Sequence, residues 1–217
     1  MQTFLIVLCH ELLLSSRNLG KILANFLFFL ISVAIFFLIS QNQEVQGSTT
    51  FYSITIIWFS LLFCLIFSAA EFLKKDFDDG TIEQVLTSCE NFEIFILAKM
   101  LGNWLVCCLP ILIAIFPLGI GLGFAKEFVL NLLILIFLAS LAINFICSLC
   151  GSLSTLGNSA PMIGVIVLPL IIPVLLIAFG GMAGDFWTSF KILCGLCVFV
   201  SGTSIFATAK IVRIAAE

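Results

Sequence analysis

The sequence predicts an all-α integral membrane protein, and three observations lead to that prediction. Of the 217 residues, 62% are hydrophobic and 10% are charged, and the mean hydropathy is +1.30. A soluble domain carries about 25% charged residues, so this chain has too few to cover a surface in water. Its apolar runs reach the roughly 20 residues that a helix needs to cross a bilayer. They are apolar on every side, which favours helices over the alternating strands of a β-barrel.

The apolar runs predict a single membrane domain, 1–217, with six spans. A helix over 1–21 comes first, and its polar residues Thr3, His10 and Arg17 recur every seven positions. This pattern is typical of an amphipathic helix that lies in the membrane surface, with His10 in a solvated position. The predicted spans, in chain order, are 22–40, 51–70, 97–122, 128–150, 162–183 and 190–209.

The placement of basic residues predicts the orientation. An even number of spans puts both termini on one side, and Lys and Arg concentrate on the cytoplasmic side of a membrane. With the N-terminus inside, only Lys126 and Lys191 lie outside. The basic residues on the inside are then Arg17, Lys21, Lys74, Lys75, Lys99, Lys210 and Arg213. We therefore expect both termini to be cytoplasmic.

The predicted spans contain no ionisable residue far from their ends. Ion-coupled transporters need such residues, and the phosphate-binding loop G-x-x-x-x-G-K-[ST] is also missing from the sequence. The net charge of −3 gives no indication of a nucleic-acid partner. We expect a non-catalytic subunit without catalytic or metal-binding residues, and a partner that supplies energy for any directional work.

The most polar part of the chain, 71–93, is predicted to be cytoplasmic and to offer a docking place for such a partner. Asp79-Gly80 indicates a turn. Thr81 and Gln84 fit a capping box, with Thr81 as the N-cap of a short helix over about 82–89. One hypothesis is a rigid lever that passes a partner's motion to the spans. The other is a solvated loop that only joins two spans.

The same region carries a family resemblance. The matching stretches, in chain order, are Asp78-Asp79-Gly80-Thr81-Ile82-Glu83-Gln84, Leu97-Ala98-Lys99, Trp104, Leu109-Pro110, Val167-Leu168-Pro169-Leu170, Pro173 and Phe206-Ala207-Thr208-Ala209. With these stretches and its order of spans, the chain resembles the haem exporter B family (CcmB). That family is the permease subunit of the cytochrome c maturation ABC transporter. Two stretches, 87–91 and 157–161, depart from the family pattern.

The resemblance implies a type-2 ABC exporter-like membrane domain, present in two copies and surrounded by lipid. It implies a place in the bacterial inner membrane or, if the chain is organelle-encoded, in the mitochondrial inner membrane. It implies a separate cytoplasmic ATPase subunit (CcmA) that binds ATP, and the partners CcmC, CcmD and the haem chaperone CcmE, with haem as the cargo. The residues expected to dock on the ATPase are Asp78, Asp79, Gly80, Thr81, Glu83 and Gln84.

Three sequence features leave alternatives open. The prolines inside predicted spans are either hinges or static kinks, and they predict a kinked or broken third span: Pro110, Pro117, Pro169 and Pro173. Gly119 with Gly123 and Gly180 with Gly184 indicate either close helix packing or re-entrant ends. The pairs Cys147/Cys150 and Cys194/Cys197 are either small apolar fillers or sites of metal binding or electron transfer. The alternative functions are thus a membrane thiol oxidoreductase and a non-transporting scaffold.

Overall fold

The computed structural model of the chain describes residues 2–17, 19–41, 49–70, 73, 76–77, 79–88, 91–153 and 160–216. These residues form helices and turns, and no strand occurs among them. The helices are α1 (Gln2–Arg17), α2 (Leu19–Gln41), α3 (Thr49–Ala70), α4 (Thr81–Ser88), α5 (Phe92–Gly121), α6 (Lys126–Leu153), α7 (Ala160–Ala183) and α8 (Phe186–Ala216). The predicted all-α class is therefore confirmed for the described residues.

Three helices in the described part of the chain are long and apolar enough to cross a membrane, namely Phe92–Gly121, Lys126–Leu153 and Phe186–Ala215. Three shorter apolar stretches lie in α2, α3 and α7, at Ile22–Leu38, Tyr52–Ser68 and Ile166–Met182. The three long helices agree with an integral membrane protein. They extend beyond the predicted spans, because helical hydrogen bonding continues past the end of the apolar run.

The central helix of the bundle is α6, which packs against α3, α5, α7 and α8. About two thirds of its most apolar stretch is buried, whereas α5 and α8 bury smaller shares. In the main apolar core, α6 contributes residues such as Leu135, Ala139 and Ile143, all fully buried. The outer helices present large apolar side chains such as Phe59, Leu176 and Phe199 outward, as expected where lipid is the solvent.

Small residues let neighbouring helices approach at one end of the bundle. A Cβ on Gly119 would lie 2.9 Å from Val129 Cγ2, and a Cβ on Gly181 would lie 2.7 Å from Ser189 Cβ. Gly123 has φ +82° in the turn between α5 and α6, a conformation that favours glycine. Close packing thus accounts for Gly119, and α7 runs as one helix through Gly180 instead of forming a re-entrant end.

At the same end, Asp185 caps the start of α8. Its carboxylate accepts hydrogen bonds from Thr188 Oγ1 at 2.5 Å and from the backbone N–H of Trp187 at 3.2 Å. These bonds, the Thr188 bond first, lower the pKa of Asp185 below its usual value. The exposed Trp187 next to it is typical of residues at a membrane–water interface.

The prolines do not interrupt their helices. Helix α5 is continuous from Phe92 to Gly121 through Pro110 and Pro117, and α7 is continuous through Pro169 and Pro173. The third span is therefore not broken, and a kink at its prolines stays a prediction. A proline removes one backbone donor, and packing against neighbouring helices can keep the helix intact.

Candidate functional site

The 71–93 segment contains a short, well-seated helix. The chain turns at Gly80, which has φ +68°, and Gly80 N donates to Phe77 O at 3.1 Å. The first helical hydrogen bond runs from Gln84 N to Gly80 O, so Gly80 and not Thr81 holds the N-cap position. The predicted helix exists one residue earlier than expected, at Thr81–Ser88. The capping-box pattern missed this because a glycine turn can provide the cap without a side chain.

The polar face of α4 points away from the bundle. Asp79 in the turn and Glu83, Gln84 and Thr87 in the helix are exposed, and Thr81 is half-buried. Thr87 Oγ1 donates to the carbonyl oxygens of Glu83 and Gln84, at 3.1 and 2.9 Å. The structure thus brings together most of the predicted docking residues on one outward surface. Asp78 lies outside the described residues.

The apolar face of α4 joins a second, smaller core. Ile82 is 1% exposed, and Val85 and Leu86 are half-buried beside it. The other buried members of this core come from the turn before α4 and from α5, α6 and α8: Leu73, Phe92, Phe95, Ile96, Met100, Phe145, Ala209 and Val212. Since the apolar positions follow helical spacing, α4 rests on the ends of three long helices.

An exposed ion pair links α8 to α5 at this end of the bundle. Arg213 Nη2 near the end of α8 donates to Glu93 Oε1 in the first turn of α5 at 2.9 Å. The Arg213 guanidinium also lies 5.8 Å from the centre of the Phe92 ring. Both charged side chains are substantially exposed, so this pair contributes at most about 1 kcal/mol. The pair joins the end of α8 to the first turn of α5.

The feature that sequence reasoning missed is a buried ion cluster of Glu11, Asp76 and Lys99. Lys99 Nζ lies 2.7 Å from Glu11 Oε1 in α1 and 2.5 Å from Asp76 Oδ2 ahead of α4. The side chains are 5%, 16% and 13% exposed for Lys99, Glu11 and Asp76. Lys99 lies near the end of the predicted span 97–122, so it agrees with the expectation that no ionisable residue lies far from a span end, but its burial and its two ion pairs were not predicted. The available signals were a Glu within an apolar helix and a Lys two residues inside a predicted span.

The charges of the cluster are unbalanced among these three side chains, because one ammonium faces two carboxylates. Burial raises the pKa of Asp76 above its usual value, and this effect exceeds the opposing attraction of Lys99. Glu11 and Asp79 raise it further. The close Lys99 contact and the raised pKa do not contradict each other, because desolvation of a buried carboxylate can exceed the gain from one ion pair.

Two members of the cluster, Glu11 and Asp76, line a groove of about 350 Å³ between α1 and α4. The walls combine apolar and polar side chains, and His10 lines the groove although its side chain is largely exposed. The exposure of His10 agrees with the solvated position expected for it. The apolar wall residues are Ile6, Val7, Leu14, Val85 and Phe95. The groove thus lies where α1 and α4 face each other.

One turn further into the bundle, a chain of amide and hydroxyl groups links three helices. Ser68 Oγ in α3 donates to Asn103 Oδ1 in α5 at 2.8 Å, and Asn103 Nδ2 donates to Asn144 Oδ1 in α6 at 3.3 Å. Asn144 Nδ2 donates in turn to Met100 O at 3.0 Å. Hydrogen bonds of this kind hold helices together where water is excluded.

The cysteines do not form a metal site in the described residues, where no group of three or more metal-ligating side chains occurs. Cys147 and Cys150 lie on α6, and Cys194 and Cys197 lie on α8. Each of these four is a free thiol.

Comparison with known proteins places the chain in a family. Residues 2–215 match the family model described as CcmB protein. Heme exporter protein B of Haemophilus influenzae is 26% identical over 221 residues, which cover 99% of each chain. The protein of that name from Pseudomonas aeruginosa is 26% identical over 180 residues, 82% of this chain and 80% of the relative. The one from Bradyrhizobium diazoefficiens is 28% identical over 167 residues, 73% and 74% of the two chains. A match over nearly the full length shows that the chain belongs to the CcmB protein family.

Proposed function

We propose that this chain is the membrane permease subunit of an ABC transporter that exports haem or delivers it to a haem chaperone in cytochrome c-type biogenesis. The observation that carries the proposal is the family match over residues 2–215. The matched relatives are named heme exporter protein B. The all-helical bundle and its long apolar helices support a membrane subunit.

In this proposal the energy comes from a separate ATPase (CcmA), which binds ATP and docks on α4. The seated helix supports a docking role, because its apolar face is buried and the side chains of Glu83 and Gln84 on its polar face are exposed to solvent. We place α4 and both termini in the cytoplasm, and the chain in the bacterial inner membrane. CcmC, CcmD and the haem chaperone CcmE complete the proposed assembly, with haem as the cargo.

The proposed membrane domain has six spans, with a type-2 exporter-like arrangement in two copies. Helices α2, α3, α5, α6, α7 and α8 are the candidates for those spans. The prolines within α5 and α7 are proposed hinges, at which the lack of one backbone hydrogen bond makes bending less costly.

The thiol oxidoreductase alternative gains no support from the comparisons, which all point to heme exporters. Three of the four cysteines in its two pairs, Cys147, Cys150 and Cys197, also belong to the hydrophobic core. Small apolar filling is the better account of these residues.

The docking assignment is tested by Glu83→Lys, with Glu127→Lys as the matched control. Both glutamates are exposed and lie in the first turn of a helix, but Glu127 is at the other end of α5 from α4. We expect Glu83→Lys to reduce recovery of the ATPase with the tagged chain about tenfold, and Glu127→Lys to leave it unchanged. Membrane insertion should be intact in both. Equal recovery with the two variants would exclude α4 as the docking site.

A further inference from the structure

Lys99 joins three parts of the chain that are distant in sequence. It lies in the second turn of α5, Glu11 lies in α1, and Asp76 is a helical residue just before the Asp79-Gly80 turn that leads into α4. The ammonium contacts both carboxylates, and all three side chains are largely withdrawn from solvent. Lys99 Nζ also lies 6.0 Å from the centre of the Phe95 ring. The buried ammonium of Lys99 therefore links both α1 and the segment ahead of α4 to α5.

Two buried carboxylates cannot remain in place without compensation. Removing one partner of a buried ion pair leaves an uncompensated charge, which moves toward water if the chain allows it. Lys99 is the described side chain that pairs with both Glu11 and Asp76. Helix α1 approaches so closely here that a Cβ on Gly102 would lie 3.0 Å from Glu11 Cβ. Loss of the cation should thus loosen both α1 and the turn before α4.

We propose that Lys99 is a positioning residue that fastens α1 and the turn ahead of α4 to α5, so that a displacement of α4 is transmitted to the long helices. The transmission step rests on the proposed docking of an ATPase on α4, whereas the fastening step does not. The next turn of α5 carries Asn103, which bonds Ser68 of α3 and Asn144 of α6. The polar contacts thus continue from Asp76 through α5 into two further helices.

The fastening step is tested on the purified full-length chain in detergent by hydrogen exchange of the backbone amides of residues 79–88. Lys99→Met should make these amides exchange about tenfold faster, because the Asp76 carboxylate loses its cation. Lys99→Arg keeps the charge and should stay within about twofold of the wild type. Lys210→Met removes an exposed lysine from α8 and serves as the control. Unchanged exchange in Lys99→Met would overturn the proposal.

A variant that cannot fold is also informative. If Lys99→Met does not accumulate, the triple variant Glu11→Gln/Lys99→Met/Asp76→Asn removes the buried charges together. Its accumulation would support charge compensation by Lys99. Its failure would show that the site needs more than charge balance, and would overturn the proposal.

The transmission step is measured on the complex with the ATPase, by the nucleotide-dependent change in exchange of residues 99–107. We expect the triple variant to bind the ATPase and hydrolyse ATP, but to lose this change in α5. A triple variant that keeps the change would contradict transmission through Lys99. Failure of the wild-type chain to recover any ATPase would instead contradict the proposed function, and the exchange test on the isolated chain would still decide the fastening step.

Discussion

The side chain of Lys99 in α5 pairs with both Glu11 of α1 and Asp76 ahead of α4. A buried ion cluster is weak support for stability in itself, since apolar replacements are often neutral or stabilising. Removing only the cation is different, and we expect Lys99→Met to cost about 3–5 kcal/mol. The cluster therefore does more to determine where Glu11 and Asp76 lie than to stabilise the folded state.

Asp76→Asn should stabilise the protein at neutral pH. The folded-state pKa of Asp76 is raised above its usual 3.8, so its ionised form opposes folding. The contribution of Asp76 to the free energy of unfolding is therefore most favourable below pH 3.8 and falls as the pH rises through its folded-state pKa, whereas Asn does not titrate. We expect thermal unfolding in detergent to show the advantage of Asp76→Asn at pH 7 and its loss on acidification.

The groups that act on Asp76 are Lys99, Glu11 and Asp79, and the matched control is Asp79→Asn. Asp79 lines the same groove but is exposed, so its neutralisation should have a smaller effect. A stability difference between wild type and Asp76→Asn that is the same at every pH would contradict the raised pKa.

Among the helices, α1 and α4 form the surface of the bundle end that carries the ion cluster, and they are held there in different ways. Helix α4 owes its place to apolar spacing, with Ile82 buried and Glu83 exposed next to it. Helix α1 owes its place to a glycine, because α5 has no side chain at Gly102 where Glu11 passes. Helix α4 is held by the burial of an apolar side chain, and α1 is held where α5 has no side chain. The two helices should therefore respond to different substitutions.

Gly102→Val should push α1 away from α5. The added side chain begins 3.0 Å from Glu11 Cβ, and a branched Cβ extends the clash. Gly195→Val is the control, because a Cβ on Gly195 meets no atom within 4 Å. We expect faster hydrogen exchange in α1 for Gly102→Val alone, and a cost of about 1–3 kcal/mol. Equal exchange in the two variants would mean that α1 is not packed on Gly102.

The sequence was sufficient to predict where helices occur, but it did not reveal which side chains contact each other between helices. The apolar runs and the Asp79-Gly80 turn were sufficient to predict the long helices and a short helix near 82–89. The Lys99 cluster could not be predicted, because Glu11, Asp76 and Lys99 are separated by 65 and 23 positions in the sequence, and spacing alone does not reveal such a contact. The N-cap was misassigned to Thr81 because a side-chain pattern says nothing about a glycine with positive φ.

The complete bundle has a polar end with α4 and the ion cluster, and another end with the α5–α6 and α7–α8 turns. Helix α5, with 30 residues, runs about 45 Å between them, enough to cross a membrane. The excess of Lys and Arg at the α4 end predicts that this end is cytoplasmic. On that basis, the proposed partner on α4 could transmit a displacement of α4 to the long helices that cross the membrane.

Labelling of an added cysteine, compared with the background of the nine native cysteines, tests this orientation. Thr87→Cys places a thiol on the exposed face of α4, and Glu127→Cys places one at the opposite end. With a membrane-impermeant maleimide on intact cells, we expect labelling of Glu127→Cys above the native background and none of Thr87→Cys. Both should react after permeabilisation. Labelling of Thr87→Cys on intact cells would reverse the predicted topology.

Purification of the tagged chain in mild detergent, followed by mass spectrometry of the subunits and haem absorbance, tests the proposed function most directly. We predict recovery of an ATP-binding subunit with two copies of the chain, together with haem-handling partners. Recovery of a correctly inserted chain without any ATPase would contradict the role of transporter permease.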